Sequence, residues 1–388
     1  MITKTERNML KKFALIFAVI IAVVSLPISA ETPDNIPFDI NADSAVLMDF
    51  ATGKVLYAKN ADLALPPASV TKIMTMLLFM EEVERGNIKL DEMISVSEYA
   101  ASMGGSQVYL EPGETMTAEE MLKCVIIASA NDAAVALAEK VAGSEDAFVS
   151  RMNERAAELG MVNSHFENVT GLDDDTTKHL TSAYDIALMS RALLRHEIIT
   201  KYSTIWMDTI RNGEFGLTNT NRLIRFYNGA TGLKTGSTSK AGFCMSATAK
   251  RDGLHLIAVV MGADTRDIRN EAAKQLLDYG FANYSLYQNS GGEAGQIKVI
   301  GGVKNSCALA YPEFTVLMPK GKNRSVQREF LIDEQIKAPV EIGDRVGTVR
   351  YICDGETIGE SDITACEQVD KIGYIGLLLK MLGIYCLK

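Results

Sequence analysis

Three short motifs with reactive side chains follow one another along this chain. Ser69-Val70-Thr71-Lys72 comes first, Ser129-Ala130-Asn131 second and Lys234-Thr235-Gly236 third. Ser69 and Lys72 stand one helical turn apart, so an uncharged lysine could take the proton of the serine hydroxyl. Each motif alone is weak evidence. In this order they predict one acyl-transfer site that uses a Ser-Lys pair instead of histidine.

The first motif is predicted to place its serine at the start of a helix. Free backbone N–H groups and the positive end of the helix dipole would favour an oxyanion beside Ser69. Lys72 lies on the same helix face, and burial beside other cations would lower its pKa and let it act as a general base. An N-capping serine followed by a lysine that extends to the surface is the alternative, and it is the better interpretation of Ser-x-x-Lys taken alone.

The second motif falls in a predicted break between two helices, where side chains can point into a cleft. Ser129 could pass a proton between Lys72 or Lys234 and a leaving group. Asn131 could bind a substrate amide and orient Lys72. Helix capping is the alternative for this triplet, because serine and asparagine are common N-caps.

The third motif lies in a strand-like segment. Gly236 would let a substrate backbone pass closely. Lys234 and Thr235 would bind a carboxylate of the substrate. The backbone N–H of Ser237 could form an oxyanion hole together with that of Ser69.

The surrounding pattern predicts the elements that hold these motifs. Ala45–Asp49 and Lys54–Ala58 form a hairpin, and a helix that is apolar on nearly all sides, and therefore buried, runs from Ser69 to about Arg85. The later helices are predicted at 117–127, 131–141, 145–159, 182–194 and about 269–277, and the later strands at 233–236, 243–249 and 254–261. Because strands occupy both ends of this region, the two ends should close one sheet.

Three of these helices begin with capping signals in the sequence. Thr117-x-x-Glu120 has the pattern of a capping box. Asn131 or Asp132 is predicted to cap the next helix, and Thr181 or Ser182 to cap the helix that ends near residue 194.

The composition changes near residue 290. From Gln296 to Cys366 the chain shows short alternating strands and turns without a long helix, which predicts a small all-β domain. We therefore predict an α+β fold with a catalytic domain at 31–290 and an all-β domain at 291–370. The apolar tail at 371–388 is interpreted either as an interfacial helix that anchors the protein to a membrane or as a helix packed on the β-domain.

The N-terminus has the pattern of an export signal. Four basic residues precede an apolar run from Phe13 to Val24, and Ala30 offers a cleavage point before Glu31. Residues 1–30 are therefore predicted to be a signal peptide, with an uncleaved anchor as the alternative. Either way we expect the protein to work outside the cytoplasm, at the outer face of the cytoplasmic membrane or in the cell-wall space.

The net charge and the cysteine content limit which partners and which chemistry are possible. A net charge of −10 makes nucleic acid an unsuitable partner. Six cysteines are scattered without C-x-x-C spacing; Cys124 is predicted to be a buried thiol, and Cys353 with Cys366 is the disulfide that we predict in an exported chain. The four histidines show no metal-ligand spacing, so no metal and no cofactor are expected.

Segments around the motifs closely resemble the low-molecular-mass penicillin-binding proteins that are serine-type D-alanyl-D-alanine carboxypeptidases. The resemblance is carried by DFATGKVL at 49–56, PASVTKIMT at 67–75, NVTGL at 168–172, NTNRL at 219–223 and GLKTG at 232–236, together with His179, Ala183 and Asp185. It extends from about Ala45 to Phe281, and more weakly through EIGDRVG at 341–347.

This resemblance implies an antiparallel sheet covered by helices, with the all-β domain behind it. It implies Ser69 as the acyl-enzyme nucleophile, Lys72 as general base, Ser129 as proton relay and Lys234 as a substrate-binding residue. It further implies that the protein removes the terminal D-alanine from peptidoglycan pentapeptide stems. β-Lactams are then expected as inhibitors, and the C-terminal helix as a peripheral membrane attachment.

Two arginines near the end of the catalytic region, Arg266 and Arg269, are further candidates for a substrate carboxylate. A guanidinium binds a carboxylate well because it offers paired donors. Ordinary surface ion pairs are the alternative, and the sequence favours them.

Three other functions share these residues. A class A β-lactamase would need a deacylating glutamate in a Glu-x-x-Leu-Asn segment between Asn131 and Lys234, and the sequence has none. A non-enzymatic protein that only binds wall peptides is disfavoured by the intact motifs. A D,D-endopeptidase remains open because it would use the same side chains.

Overall fold

The computed structural model describes residues 38–173 and 176–386, and the predicted signal peptide at 1–30 lies outside these ranges. Within them, a five-stranded sheet covered by helices is followed by a second unit built of β-strands. The fold is α+β, which confirms the predicted fold class.

Antiparallel strands form the centre of the first unit. Its strands are β1 (Ser44–Asp49), β2 (Val55–Lys59), β3 (Met93–Ser95), β4 (Thr115–Thr117), β5 (Met207–Ile210), β6 (Phe215–Thr218), β7 (Ala230–Thr238), β8 (Gly242–Arg251) and β9 (Leu254–Ala263). The main sheet has the order β2-β1-β9-β8-β7, while β3 pairs with β4 and β5 with β6. Val46 of β1 lies opposite Val259 of β9, so the two ends of this region do close one sheet.

Helices cover both faces of this sheet. They are α1 (Lys72–Glu84), α2 (Glu98–Ala101), α3 (Ala118–Lys123), α4 (Asn131–Ala142), α5 (Glu145–Glu158), α6 (Ala183–Leu193), α7 (Glu197–Ser203), α8 (Leu223–Phe226) and α9 (Arg266–Asn283). A 3₁₀ turn at Ala68–Thr71 precedes α1, and a π-helical turn at Cys124–Ala128 extends α3. Every residue of α1 from Lys72 to Met80 is buried, as its apolar pattern predicts.

The sheet separates two hydrophobic cores because successive strand side chains point to opposite faces. In β1, Val46 and Met48 belong to the core formed with α1 and the helices around it. Ala45 and Leu47 belong to the core formed with α9. The strand is therefore apolar at nearly every position rather than alternating, as expected for a sheet buried on both faces.

Two of the predicted helix caps are present. The Thr117 side chain accepts a hydrogen bond from Glu120 N at 3.2 Å, and Glu120 accepts one from Thr117 N at 3.4 Å, which completes the capping box. Ser182, rather than Thr181, caps α6 by accepting from Asp185 N at 3.1 Å.

The predicted cap of α4 is wrong. This helix follows Ala130, which makes no side-chain cap. The Asp132 carboxylate instead accepts hydrogen bonds from Val108 N and Leu110 N, both at 3.0 Å. The Asn131 amide donates to the Gly104 carbonyl at 2.7 Å. Both side chains hold the 104–110 segment in place, so they are not available to cap the helix.

The second unit has its own sheet and core. Its strands are β10 (Tyr284–Asn289), β11 (Gly292–Ile300), β12 (Ser306–Tyr311), β13 (Phe314–Pro319), β14 (Gln327–Ile332), β15 (Gln335–Lys337), β16 (Arg345–Cys353) and β17 (Glu356–Ala365). β10 pairs with β13, and the other six form a sheet in the order β14-β16-β17-β12-β11-β15. Phe314 stacks on Tyr351 with ring centroids 3.9 Å apart in the core of this unit.

The predicted Cys353–Cys366 disulfide is wrong, because both are free thiols. β16 and β17 form a hairpin in which Cys353 lies opposite Glu356 at the turn. Cys366 follows the far end of β17, where Thr364 lies opposite Arg345. Ten strand residues span about 30 Å, far more than a disulfide can bridge. Cys124 is a buried thiol, as predicted.

A final helix, α10 (Tyr374–Cys386), ends the described chain. Its base is held by hydrogen bonds from Ile372 N to Gly301 O at 2.9 Å and from Lys380 Nζ to Gly302 O at 3.2 Å. The apolar side chains of Tyr374 and Leu379 are nevertheless exposed, by 95% and 63%. Among the described helices, none combines the length and the apolar character that crossing a membrane requires.

Candidate active site

Ser69 lies in the 3₁₀ turn before α1, and Lys72 is the first residue of that helix. Lys72 Nζ lies 3.0 Å from Ser69 Oγ and donates a second hydrogen bond to the Thr170 carbonyl at 2.7 Å. The lysine side chain is fully buried, with no exposed area. The alternative of a lysine that extends to the surface is therefore wrong.

Burial and a neighbouring cation lower the pKa of both site lysines. Burial lowers the pKa of Lys72 well below that of an ordinary lysine, the Lys234 ammonium lowers it further, and Asp132 partly opposes this shift. Burial and the Arg269 guanidinium lower the pKa of Lys234 to about 7. The direction predicted for Lys72 is confirmed, with burial as its largest cause.

The Ser129 motif occupies the break between the π-helical turn and α4, as predicted. Ser129 has φ of +63°, a left-handed conformation that ends the helical turn and directs its side chain toward Lys234. Lys234 Nζ donates to Ser129 Oγ at 2.8 Å and to its neighbouring carbonyl, that of Thr235, also at 2.8 Å. The Asn131 amide nitrogen bonds to Gly104 O, and Asn131 Oδ1 is buried without a hydrogen-bond partner, so Asn131 does not orient Lys72 by a hydrogen bond.

The Lys234 motif lies on β7, the edge strand of the main sheet. A side chain at Gly236 would place its Cβ 2.7 Å from Ser69 N and 2.9 Å from Val70 N, so glycine is what allows this close approach. Thr235 Oγ1 donates to Thr220 Oγ1 at 2.8 Å. The free edge of β7 therefore runs beside the serine, with Ser237 next along the strand.

A cleft of about 680 Å³ joins these elements. Its lining includes Ser69, Ser129, Thr235, Gly236 and Ser237 of the predicted site, and in addition Ser106, Trp206, Thr218, Asn219, Thr220, Arg222, Phe226, Arg266 and Arg269. The charged groups in this lining are all arginines, although the chain carries a net charge of −10. The cleft is therefore suited to an anionic ligand.

Arg269 is buried rather than part of a surface ion pair. Its guanidinium bonds to the Asn270 side chain at 2.9 Å and to the Cys244 carbonyl at 3.5 Å. Burial and the neighbouring Arg266 lower the pKa of Arg269 to about 10. For Arg269 the surface alternative is therefore wrong, and both arginines face the cleft.

Several contributors to this cleft have no signature in the sequence. The Thr170 carbonyl that receives Lys72 is backbone, which any residue type could supply. Trp206 and Phe226 form an edge-to-face aromatic pair at the rim, with ring centroids 6.3 Å apart. Thr220 could have been found only through the Asn219-Thr220-Asn221 resemblance. In the described part of the chain, no three His, Cys, Asp or Glu side chains are grouped as a metal site would require.

A helix-covered antiparallel sheet with a Ser-Lys pair beside its edge strand is the arrangement of serine enzymes that transfer acyl groups with lysine as the base. The chain matches the model of D-alanyl-D-alanine carboxypeptidases over residues 29–265. It matches the C-terminal domain of penicillin-binding protein 5 over residues 281–371. The chain therefore belongs to the D-alanyl-D-alanine carboxypeptidase family, a family of penicillin-binding hydrolases.

Individual relatives agree with this assignment. The chain is 45% identical over 350 residues to D-alanyl-D-alanine carboxypeptidase DacF of Bacillus subtilis, which covers 88% of this chain and 89% of that relative. DacC of Escherichia coli is 34% identical over 348 residues, which are 87% of this chain and 86% of that relative. The solved structure of penicillin-binding protein 5 from Haemophilus influenzae has a TM-score of 0.74 at 31% identity, covering 87% of this chain and 100% of that one. Penicillin-binding protein D2 from Listeria monocytogenes, solved in its ampicillin-bound form, has a TM-score of 0.57 at 30% identity. The match covers 62% of this chain and 98% of that one.

Proposed function

We propose that this protein is an exported serine D-alanyl-D-alanine carboxypeptidase that removes the terminal D-alanine from peptidoglycan pentapeptide stems through an acyl-enzyme on Ser69. The observation that carries the proposal is the buried Lys72 Nζ, 3.0 Å from Ser69 Oγ. A lysine whose pKa is lowered well below its ordinary value by burial can be uncharged at a pH where an exposed lysine is still charged. It can then accept the serine proton without help from histidine.

In acylation, neutral Lys72 takes the hydroxyl proton of Ser69 as Ser69 Oγ attacks the carbonyl between the two D-alanines. The new C–O bond creates a tetrahedral oxyanion, which the N–H groups of Ser69 and Ser237 would stabilise from either side. The approach of Gly236 to Ser69 N supports this role, because it brings β7 next to the serine N–H.

Collapse of the tetrahedral intermediate breaks the C–N bond, and the leaving amine needs a proton. Ser129 can supply it, since its hydroxyl accepts from Lys234 at 2.8 Å and can be reprotonated from the lysine pair. Free D-alanine then departs. Water attacks the ester and returns a proton to Ser69 through Lys72, which restores the free enzyme.

The free edge of β7 supports substrate binding as an added strand. The terminal carboxylate would lie near Thr235 and Arg269, both of which line the cleft. A β-lactam would acylate Ser69 in the same way. Its leaving amine stays attached to the acyl group and blocks the water, so β-lactams act as inhibitors.

The described part of the loop that receives Lys72 does not favour a β-lactamase. Of its two acidic residues, Glu167 is on the surface, where its carboxylate accepts from Thr177 N and Lys178 N at 3.0 and 2.9 Å, and the Asp173 carboxylate accepts from Thr238 Oγ1. The group that meets Lys72 from this loop is the Thr170 carbonyl, which cannot activate water as a carboxylate base.

We also propose that the protein acts outside the cytoplasm. The basic and apolar pattern of residues 1–30 supports export, with the domain at 31–290 performing the chemistry and the domain at 291–370 carrying the tail. The exposed apolar residues of α10 support peripheral contact with the outer face of the cytoplasmic membrane. Nucleic acid, metals and cofactors have no part in the proposed reaction.

Two measurements on the purified mature protein test this proposal. It should release D-alanine from diacetyl-Lys-D-Ala-D-Ala, and mass spectrometry after penicillin treatment should find the adduct on the peptide that contains Ser69. Ser69→Ala should lose both signals while keeping its melting temperature within a few degrees. An adduct on another residue, or D-alanine release by Ser69→Ala, would refute the assignment. Hydrolysis of cross-linked dimers to separate stems, without release of D-alanine from diacetyl-Lys-D-Ala-D-Ala, would instead indicate a D,D-endopeptidase.

A further inference from the structure

A short loop at 167–173 lies against α1, and its last residue, Asp173, accepts a hydrogen bond from Thr238 of β7. Asn168 fixes its shape, because the Asn168 Oδ1 accepts from Thr170 N at 3.1 Å and from Gly171 N at 2.7 Å. The Asn168 amide nitrogen donates to the Leu172 carbonyl at 2.7 Å. The loop is therefore a rigid turn, and the Thr170 carbonyl that it presents accepts from Lys72.

Three neighbouring positions of α1 and its 3₁₀ turn attach this loop to the helix. Lys72 bonds to the Thr170 carbonyl at 2.7 Å, and Thr75 Oγ1 donates to the Val169 carbonyl, also at 2.7 Å. Thr71, next to the lysine, bonds to His179 at 2.8 Å. Gly171 packs so closely that any side chain there would overlap the Ala68 carbonyl.

His179 connects the loop to Thr71 with a defined tautomer. Its Nδ1 accepts a hydrogen bond from Glu167 N at 3.0 Å, so the ring proton must be on Nε2. That Nε2–H therefore donates to Thr71 Oγ1. The ring is buried, with only 3% of its area exposed, and packs edge-to-face on Phe166 at 5.7 Å. Burial lowers the pKa of His179 to about 4, with Glu167 and Asp173 opposing this shift and His165 adding to it, so the ring is neutral at pH 7.

We propose that His179 is a positioning residue for Lys72. It joins the start of the 167–173 loop to the residue that precedes the lysine, and thereby holds the Thr170 carbonyl at hydrogen-bond distance from the lysine amine. With one N–H directed to Thr170 and the other away from the serine, the lone pair of neutral Lys72 is directed at Ser69. This inference rests on the proposed role of Lys72 as the general base.

Loss of this connection should affect proton transfer more than substrate binding. The loop would be held on α1 by fewer contacts, water would reach Lys72 more easily, and the pKa of the lysine would rise toward its ordinary value, since burial is the largest cause of the shift. Lys234 and Asp132, the other charged groups that act on Lys72, would not be changed. At a given pH a smaller fraction of Lys72 would then be neutral, and its lone pair would be less well aligned with Ser69. Both effects should slow acylation.

Glutamine and asparagine separate the two hydrogen bonds of the histidine. His179→Gln can keep a donor near the Nε2 position, toward Thr71, whereas His179→Asn can keep only an acceptor near Nδ1, toward Glu167 N. Thr71→Val removes the partner hydroxyl while conserving shape. A matched control is His255→Gln, because His255 is also buried, bonds to Thr231 Oγ1 at 2.9 Å and has a pKa lowered to about 4.

The experiment measures the second-order rate of penicillin acylation against pH, together with KM and kcat for diacetyl-Lys-D-Ala-D-Ala. We expect His179→Ala, His179→Asn and Thr71→Val each to slow acylation by about ten-fold or more and to move the midpoint of the rate profile to higher pH, with KM changed less than two-fold. His179→Gln should recover most of the rate. The double variant His179→Ala/Thr71→Val should be no slower than either single variant.

Other outcomes would overturn the inference. If His179→Ala only lowers the melting temperature, as His255→Gln should, and keeps the acylation rate and the pH midpoint, then the histidine is structural. If His179→Ala does not fold, an unchanged pH profile in Thr71→Val leads to the same conclusion. Failure of the proposed function is distinguishable, because the unchanged protein would then form no adduct on Ser69 at any pH.

Discussion

Two lysines share the interior of this site, and each bonds to one hydroxyl and one carbonyl oxygen. A buried ammonium is costly unless it is paired with a carboxylate, so this environment favours the neutral amine. Both lysines are buried and each lies near a second cation, Lys234 for Lys72 and Arg269 for Lys234, so the pKa of both is lowered. The same burial that would destabilise a charged lysine therefore supplies the base.

Acylation should rise with pH as Lys72 loses its proton, because only the neutral amine can accept the proton of Ser69. Lys72→Arg keeps a charge that cannot be lost at any working pH and should slow acylation by about 10²–10⁴-fold. The check is the rate of penicillin labelling between about pH 6 and 10. A flat profile for the unchanged enzyme, or a fast arginine variant, would contradict the role of Lys72.

Stability should depend on pH through the same group. The folded-state pKa of Lys72 is below its unfolded value of about 10.5, so the unfolded chain binds more protons between these two values. The free energy of unfolding should therefore rise with pH across that window. In Lys72→Met this contribution is absent, so the difference in unfolding free energy between the two proteins should move in favour of the unchanged protein as pH approaches 10. Urea titrations at pH 7 and pH 10 measure it, and parallel pH dependences would count against a buried neutral lysine.

The motifs predict which side chains form the site, but they do not predict which backbone groups those side chains bond to. Ser69 and Ser129 line one cleft, and each bonds to a buried lysine behind it, Lys72 and Lys234, so the three motifs form one site as their order indicated. The predicted orientation of Lys72 by Asn131 was wrong, because the Asn131 amide donates to the Gly104 carbonyl and not to Lys72, while its predicted contact with a substrate amide stays a prediction. A hydrogen bond to a backbone carbonyl depends on where a distant loop returns, and a residue type alone does not reveal it.

Elements with strong periodicity or explicit caps were predicted best. The capping box of α3 and the buried pattern of α1 are both present. α9 is longer than the predicted 269–277, because Thr265 caps it by accepting from Ile268 N at 3.2 Å and starts it earlier. The hairpin of β5 and β6 was not predicted, since four-residue strands show too little alternation to be recognised.

The edge strand β7 gives a prediction at this scale. In Gly236→Ala the added methyl would meet Ser69 N at 2.7 Å and push β7 away from the oxyanion position. We expect acylation to fall by about 10²–10³-fold, the usual effect of losing one oxyanion donor. Gly216→Ala in β6, where an added Cβ meets nothing within 4 Å, is the control and should keep its rate. Equal rates for both variants in penicillin labelling would show that β7 does not form the oxyanion hole.

At the scale of the whole molecule, the sequence indicated a second, all-β unit but not its sheet order. In that sheet β11 pairs in parallel with β15 and β14 pairs with β16, which are contacts between strands distant in sequence. Local alternation predicts a strand but contains no information on its partner. The disulfide prediction failed for the same reason, because it needed the register of the β16–β17 hairpin.

The tail is attached to this second unit through its first residues. Lys371 bridges to Gly302, and Ile372 N bonds to Gly301 O, so a chain that ends after Gly373 keeps both contacts and loses α10 together with the hydrogen bond from Lys380 Nζ to Gly302 O. The exposed side chains of Ile375, Leu378 and Leu379 would be lost with the helix. This truncation therefore separates the helix from the domain that carries it.

If α10 is an interfacial helix, the mature protein should sediment with vesicles that contain anionic lipid. Salt should weaken the binding, because one short apolar helix in a tail with three lysines, Lys371, Lys380 and Lys388, binds only moderately. The chain that ends after Gly373 should stay in the supernatant and keep full activity on diacetyl-Lys-D-Ala-D-Ala. Leu378→Glu with Leu379→Glu should also prevent binding while the helix remains, which distinguishes insertion of the apolar face from attraction of its charges. If truncation instead lowers the melting temperature and leaves vesicle binding unchanged, then α10 stabilises the β-domain and another surface contacts the lipid.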